Sequence, residues 1–318
     1  MIKDRSIFVT GGAGFIGSTV IGRLIEHNRI TVYDNFRRDS LSDKPYAHHP
    51  NLRVVRGDVL DAAALGREMA GANLVAHCAA IAGIYSVSKR PTETMRVNML
   101  GTANVLEAAL GLKDLERIVD FSTSEVFGQA AFRSEETDST HIGAVGEARW
   151  TYAVSKLAGE FLAKAYHQEY GMPTVTVRPF NVYGPGQVGE GAIKVFITQA
   201  LKDEPITIHN EGNQIRAWCY VDDFIEGLLL TLEHPAAVGE SFNIGNARAV
   251  ITVYGLAQTV VRVLGSASKI GFAGSHHTDV ELRVPSVQKA RDLLGFQAKV
   301  DLDDGIRATA EYFKQQMQ

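Results

Sequence analysis

A chain of 318 residues has room for about two domains of ordinary size, and 45% hydrophobic with 21% charged residues is the composition of a globular protein. The net charge of −4 gives no sign of a nucleic-acid surface. No apolar run reaches the length of about 18 residues that a membrane span needs, and no signal-like segment precedes the first strand, so a cytoplasmic protein is expected, with no membrane partner.

The first predicted strand, Ser6 to Thr10, leads into Thr10-Gly11-Gly12-Ala13-Gly14-Phe15-Ile16-Gly17 and then an amphipathic segment, Ser18 to Glu26. Strand, glycine turn and helix N-terminus in that order suit a dinucleotide pyrophosphate, because free backbone N–H groups and the helix dipole both favour an anion. Gly11 permits the tight turn, Gly14 lets the backbone approach the phosphates, and Gly17 lets the helix pack closely on the strand. The second strand, Ile30 to Asp34, ends on a carboxylate about 20 residues beyond the glycines, placed to accept the adenosine ribose hydroxyls. That favours NAD over NADP, although Arg37 and Arg38 follow closely and would meet a 2′-phosphate if the loop folds back.

Further strands are predicted over Leu52 to Gly57, Leu74 to His77, Arg117 to Ser122 and Thr174 to Arg178, with helices over Thr92 to Leu110 and Tyr152 to Glu169 between them. This alternation predicts an α/β fold of Rossmann type, a doubly wound parallel sheet covered on both faces. In such a sheet the ligand lies beyond the carboxyl ends of the strands, so Asp34, Asp58, His77 to Ala80 and Ser122 to Glu125 are expected around one crevice. After Pro179 the alternation loosens, with glycines at 184, 186, 189 and 191. The expected division is a cofactor-binding domain over 1–178 and a smaller α/β substrate-binding domain over 179–318, with part of 215–247 returning to the sheet. The two cysteines, Cys78 and Cys219, lie far apart in apolar stretches, which fits buried thiols and no metal site.

Tyr152 and Lys156 are four residues apart at the start of a helical segment, so both side chains share one helix face. An ammonium there stabilises a tyrosinate and makes the tyrosine a usable base. Ser122-Thr123-Ser124-Glu125 places hydroxyls and one carboxylate at a strand's carboxyl end, where a hydroxyl can share the proton. Each feature alone also reads as a surface pair or a helix cap. Together, on a dinucleotide fold, they read as a catalytic site.

These motifs resemble those of the extended short-chain dehydrogenases/reductases, in particular the NAD-dependent epimerase/dehydratase family that modifies nucleotide sugars. The resemblance runs through TGGAGFIG, Asp34, Gly57-Asp58-Val59, His77-Cys78-Ala79-Ala80, Asn98 with Gly101-Thr102, Ser122 to Gly128, Tyr152 with Lys156, Arg178 to Pro185, and Arg216 before Tyr220-Val221-Asp222-Asp223. It implies that Phe15, Ile16, Asn35, Val59, Ala79, Ala80, Asn98 and Ser122 join the glycines and Asp34 around NAD, with Asp58 at the adenine. It implies Tyr152 as base, Lys156 on the nicotinamide ribose, Thr123 on the sugar 4-hydroxyl, and Asn181 and Arg216 on the substrate pyrophosphate. It further implies a nucleotide-diphosphate sugar as substrate, a UDP-sugar foremost, and a homodimer formed by the helices 92–110 and 152–169.

The shared chemistry is transient oxidation at sugar C4, after which an epimerase, a 4,6-dehydratase and a decarboxylase diverge. Thr123-Ser124-Glu125 resembles the dehydratases and the UDP-glucuronate decarboxylases, and a carboxylate near C5 suits proton abstraction there, which tilts the reading toward a 4,6-dehydratase. The segment Ala148 to Lys156 resembles bacterial UDP-glucuronate decarboxylases. Against decarboxylation, the stretch from Gly189 to Phe196 carries Gly191, Ala192 and Lys194 where an arginine is expected, and Lys194 is left to pair a uronate. The stretch Gly274 to Asp279 lacks a phosphate-binding arginine, for which Arg283 is the candidate replacement. A dinucleotide-binding sensor without catalysis is the alternative of a different class.

Overall fold

A computed structural model describes residues 2–189, 191–274 and 280–317. The first part of the chain runs β1 (Ser6–Thr10), α1 (Phe15–Leu24), β2 (Arg29–Asp34), β3 (Leu52–Arg56), α2 (Ala62–Met69), β4 (Leu74–His77), α3 (Ile84–Lys89), α4 (Pro91–Met95), α5 (Gly101–Leu110), β5 (Arg117–Phe121), β6 (Ala130–Ser134), α6 (Ala148–Tyr170) and β7 (Thr174–Pro179). The remainder runs β8 (Val182–Tyr183), α7 (Ala192–Ala200), β9 (Ile206–His209), β10 (Ile215–Ala217), β11 (Cys219–Tyr220), α8 (Val221–Glu233), β12 (Ser241–Ile244), β13 (Val250–Thr252), α9 (Val253–Leu264), β14 (Ile270–Ala273), β15 (Leu282–Pro285), α10 (Gln288–Leu294) and α11 (Leu302–Gln315).

Among the described residues, seven strands form one sheet in the order β12-β7-β5-β4-β1-β2-β3, every pairing parallel. Parallel strands covered on both faces need apolar side chains on both, and Ile7, Phe8 and Val9 are all buried. Ile7 and Val9 pack with Val20, Ile21 and Phe224 of α1 and α8, whereas Phe8 packs with Leu65, Val105 and Ala163 of α2, α5 and α6. At the sheet's edge β3 is largely exposed. The expected strands are found with ends within one residue of those predicted. The expected helix Thr92 to Leu110 is instead α4, a π-helical turn over Arg96–Leu100, and α5. The wide turn falls at Asn98, whose amide is drawn out of the helix to both backbone groups of Ile81.

A second, mixed sheet has the order β13-β10-β15-β6, antiparallel only between β13 and β10. The boundary expected at residue 178 falls near the end of β7, but the sheets exchange strands: β6 comes from before it and β12 from after it. The strand order of the main sheet reverses between β1 and β4, so a crevice opens at their carboxyl ends, where the second sheet closes it. No helix among the described residues is long and apolar enough to cross a membrane.

A buried ion pair fixes α6 over this crevice. Arg178 of β7 donates from Nε to both oxygens of Glu160 at 3.1 Å and from Nη2 to Oε1 at 2.7 Å, and Ser241 of β12 donates to the same Oε1 at 2.8 Å. The guanidinium also lies 4.9 Å from the Phe127 ring centroid. Removing one member strands a buried charge, which costs far more than the intact pair contributes. Arg178→Ala is expected to lose about 3–5 kcal/mol of unfolding free energy in chemical denaturation. A loss below about 1 kcal/mol, the range of an exposed pair, would contradict this account.

Candidate active site

The glycine turn is built so tightly that side chains are excluded. Gly11 has φ +67°, and a Cβ there would stand 2.5 Å from the Ala79 backbone nitrogen; a Cβ on Gly17 would stand 2.5 Å from the Gly11 carbonyl oxygen. Gly14 caps the N-terminus of α1 in extended conformation, and no acidic residue occupies the first turn to compete for its N–H groups. Asp34 ties this turn to β2, its Oδ2 accepting from the Ala13 N–H at 2.9 Å and its Oδ1 from the Phe36 N–H at 2.7 Å. Burial pushes the Asp34 carboxyl above its ordinary range, and these backbone donors oppose that shift.

A cleft of about 530 Å³ runs from here to the carboxyl end of β5. Of the expected cofactor residues, Gly11, Gly14, Phe15, Ile16, Gly17, Asp34, Asn35, Asp58, Val59, Ala79, Ala80, Ser122, Tyr152 and Lys156 line it. Asn98 does not: Ile81 and the Ser155 hydroxyl take up its amide, so it shapes the loop after β4 from behind. Arg37 and Arg38 lie at the cleft but are engaged, Arg37 with Glu93 at 3.4 Å and Arg38 with the Ala82 carbonyl at 3.0 Å. The glycine cradle, the ribose-facing carboxylate and a Lys156 Nζ buried without a hydrogen-bond partner together fit a nicotinamide dinucleotide.

At the far end Thr123 caps a short 3₁₀ turn, its Oγ1 accepting from the Glu125 N–H at 3.2 Å. The Tyr152 hydroxyl is pushed up to about 12, first by burial and then by the Glu125 charge, while Thr123 and Arg283 pull it back. Lys156, from which a lowering is expected, is not among the groups that shift it. Tyr152, Lys156, Thr123, Ser124 and Glu125 share the cleft, as do Asn181 and Arg283.

Glu125 is the meeting point of two guanidinium groups. Its Oε1 lies 3.3 Å from Arg149 Nη2 and 3.3 Å from Arg283 Nη1, with all three side chains largely buried. Arg283 also donates to the Gly128 carbonyl at 3.1 Å. Sequence reasoning missed Arg149, although its place three residues before Tyr152 puts it one turn away on the same helix face. Arg283, the candidate for a phosphate contact from the sequence, stands beside Glu125 and Tyr152.

Two residues expected at the substrate are not among those that line the cleft. Lys194 is not brought to the cleft; its Nζ lies 5.9 Å from the Phe313 ring centroid, because α7 turns that face toward α11. Arg216 is buried in β10 beside Arg283 in register, donates to the Ile215 and Val280 carbonyls, and does not line the cleft. Asn181, with φ +41°, donates from its amide to the Ala217 carbonyl at 2.8 Å while facing the cleft. Of Gly274 to Asp279, residues 275–279 lie outside the described residues.

The model of a family described as "NAD dependent epimerase/dehydratase family" matches residues 7–245. The chain is 31% identical to UDP-glucuronic acid decarboxylase 5 of Arabidopsis thaliana, over 98% of this chain and 90% of that protein. It is 30% identical to a UDP-N-acetyl-alpha-D-glucosaminuronate decarboxylase of Bacillus cytotoxicus, over 99% of each. Among solved structures, a UDP-glucuronic acid 4-epimerase from Bacillus cereus, in complex with UDP-glucuronic acid and NAD, superposes with a TM-score of 0.88 at 30% identity, over 98% of this chain and 99% of that one.

Asp34→Ala removes the expected ribose acceptor and the anchor of the glycine turn. NAD affinity, measured by titration calorimetry, is expected to fall about 10- to 100-fold, the worth of a hydrogen bond to a charged group. Unchanged affinity would contradict the placement of the adenosine ribose.

Proposed function

The chain belongs to the NAD-dependent epimerase/dehydratase family, and we propose that within it the protein is a decarboxylase of a nucleotide-diphosphate uronic acid, a UDP-uronate foremost. The observation that carries this reading is the convergence of Arg149 and Arg283 on one carboxylate beside Tyr152. Paired N–H donors of a guanidinium match a carboxylate, and Arg283 lines the cleft beside Glu125 and Tyr152, where a substrate carboxylate would meet it. The curated relatives support the same reading, since those named above are decarboxylases of UDP-uronates.

In this reading the sugar lies between Thr123, Tyr152 and Arg283. Thr123 and Tyr152 hold the 4-hydroxyl, and Tyr152 accepts its proton as C4 is oxidised. When bound, NAD takes up the C4 hydride, returns it later, and brings a positive charge to the nicotinamide ring. The resulting C4 ketone stands β to the uronate carboxylate. Arg283 holds that carboxylate, with Arg149 behind it on Glu125; the C5–C6 bond breaks, its electrons pass to the C4 oxygen as an enolate, and carbon dioxide leaves. C5 then takes up a proton, and Tyr152 returns its proton to the 4-oxygen when C4 is reduced. Low dielectric strengthens each of these contacts, and the buried site supplies it.

A second reading, a 4,6-dehydratase, is favoured by Glu125 itself, which then serves as base at C5. We also propose that the protein is a homodimer. Val154 and Phe161 of α6, seven residues apart and so on one helix face, are exposed apolar side chains, as is Leu100 beside them in the same helical layer. A monomer by light scattering at micromolar concentration would overturn that.

With NAD and UDP-glucuronate the expected product, read by mass spectrometry, has lost carbon dioxide and no free NADH accumulates. Arg283→Ala is expected to lower kcat/KM at least about 100-fold, since a charged hydrogen bond to the reacting group is lost. Loss of water from a neutral hexose donor would establish the dehydratase instead, and an isobaric product an epimerase.

A further inference from the structure

Asp120 lies on β5 two residues before Ser122, 1% exposed, in register with His77 of β4 and Thr176 of β7. Cross-strand neighbours share a sheet face, so Thr10, His77, Asp120, Thr176 and Ser241 form one polar row. The contacts of that row fix what lies above it. His77 hydrogen-bonds Thr102 of α5 at 2.9 Å, and Ser241 hydrogen-bonds Glu160 of α6 at 2.8 Å. Gly159 of α6 lies against Thr102, so that a Cβ on it would stand 3.4 Å from the threonine hydroxyl oxygen. Between these two anchors, Asp120 sits beneath the turn of α6 that runs from Lys156 to Glu160.

Neither carboxylate oxygen of Asp120 has a hydrogen-bond partner among the described residues, and neither has Lys156 Nζ, itself 1% exposed. The other titratable groups around Asp120 offer no compensating charge. His77 is held neutral, pushed down to about 3 by burial and by Lys156; burial pushes the Cys78 thiol up to about 12; and Glu160 is taken by Arg178. Lys156 is the facing cation without an anion bound to it. An apolar side chain would fill this place in the strand without the cost of burying a carboxylate.

We propose that Asp120 is a positioning residue for Lys156: its carboxylate is the through-space counter-charge of the buried ammonium and opposes the ionisation of Tyr152. Burial raises the Asp120 carboxyl, Lys156 opposes that, and the Asp120 charge in turn contributes to raising Tyr152. The proposal rests on the reading of Tyr152 as base and Lys156 as its ammonium.

The test is the pH profile of kcat/KM for Asp120→Asn. With the anion gone, the uncompensated ammonium favours tyrosinate, so the acidic limb is expected to move to lower pH by about half a unit or more. Tyr152 ionisation, read without substrate as the tyrosinate absorbance step that Tyr152→Phe removes, is expected to move down with it. Asp120→Leu removes the same charge, is expected to behave likewise, and serves where the Asn variant fails to fold. Profiles and absorbance steps that superimpose on the wild type, or that move to higher pH, overturn the proposal. A wild-type protein that turns over no uronate or hexose donor overturns the functional reading instead, and the absorbance step alone then decides the role of Asp120.

Discussion

A lysine ammonium buried at the carboxyl edge of a parallel sheet is the constraint on which the site depends. Taking such a charge out of water is costly unless its surroundings compensate it, and no side chain or backbone group hydrogen-bonds Lys156 Nζ among the described residues. What compensates it lies on two sides: the Asp120 carboxylate below, fixed by the register of β4, β5 and β7, and the dinucleotide cleft above. The sheet provides the first, and on the second side Lys156 opens onto the cleft. A fold with another register would leave the same residue types without the same electrostatics.

The remaining geometry follows from holding α6 in place over that edge. Glu160 and Arg178 pin the helix to β7, Ser241 ties it to β12, and Asn98 reaches from the π-helical turn to Ser155, one residue before the lysine. The same helix delivers Arg149, Tyr152 and Lys156 within its first three turns. In the proposed reading one rigid element therefore carries the base for the hydroxyl and the ammonium behind it, while Arg149 holds Glu125. The second sheet contributes the complement, since β15 carries Arg283 across to Glu125. That the two sheets exchange β6 and β12 ties these contributions to one framework.

Much of this was legible in the sequence, for identifiable reasons. The central strands are continuous apolar runs because both faces are covered, and the glycines at 11, 14 and 17 stand where backbone approaches backbone; such features are local and survive in one dimension. Tyr152 and Lys156 were legible because a helix converts a spacing of four into a shared face. The meeting of Arg149 with Arg283 was not, since it depends on how β15 docks against the turn after β5. The surroundings of Lys194 and Arg216 were not legible for the same reason: α7 turns the lysine toward Phe313, and β10 buries the arginine against its own sheet. Asp120 did carry a local signal, a charge inside an otherwise apolar central strand, but its meaning required knowing that Lys156 lies over it.

The central claim is that the hydrogen at sugar C4 leaves and returns within one active site while the arginine pair handles the neighbouring carboxylate. The most direct measurement is the fate of deuterium placed at C4 of UDP-glucuronate during turnover with catalytic NAD. The account predicts that the label is recovered at C4 of a product that has lost carbon dioxide, with no release of labelled NADH. Deuterium lost to solvent, or carried away on free NADH, would contradict it.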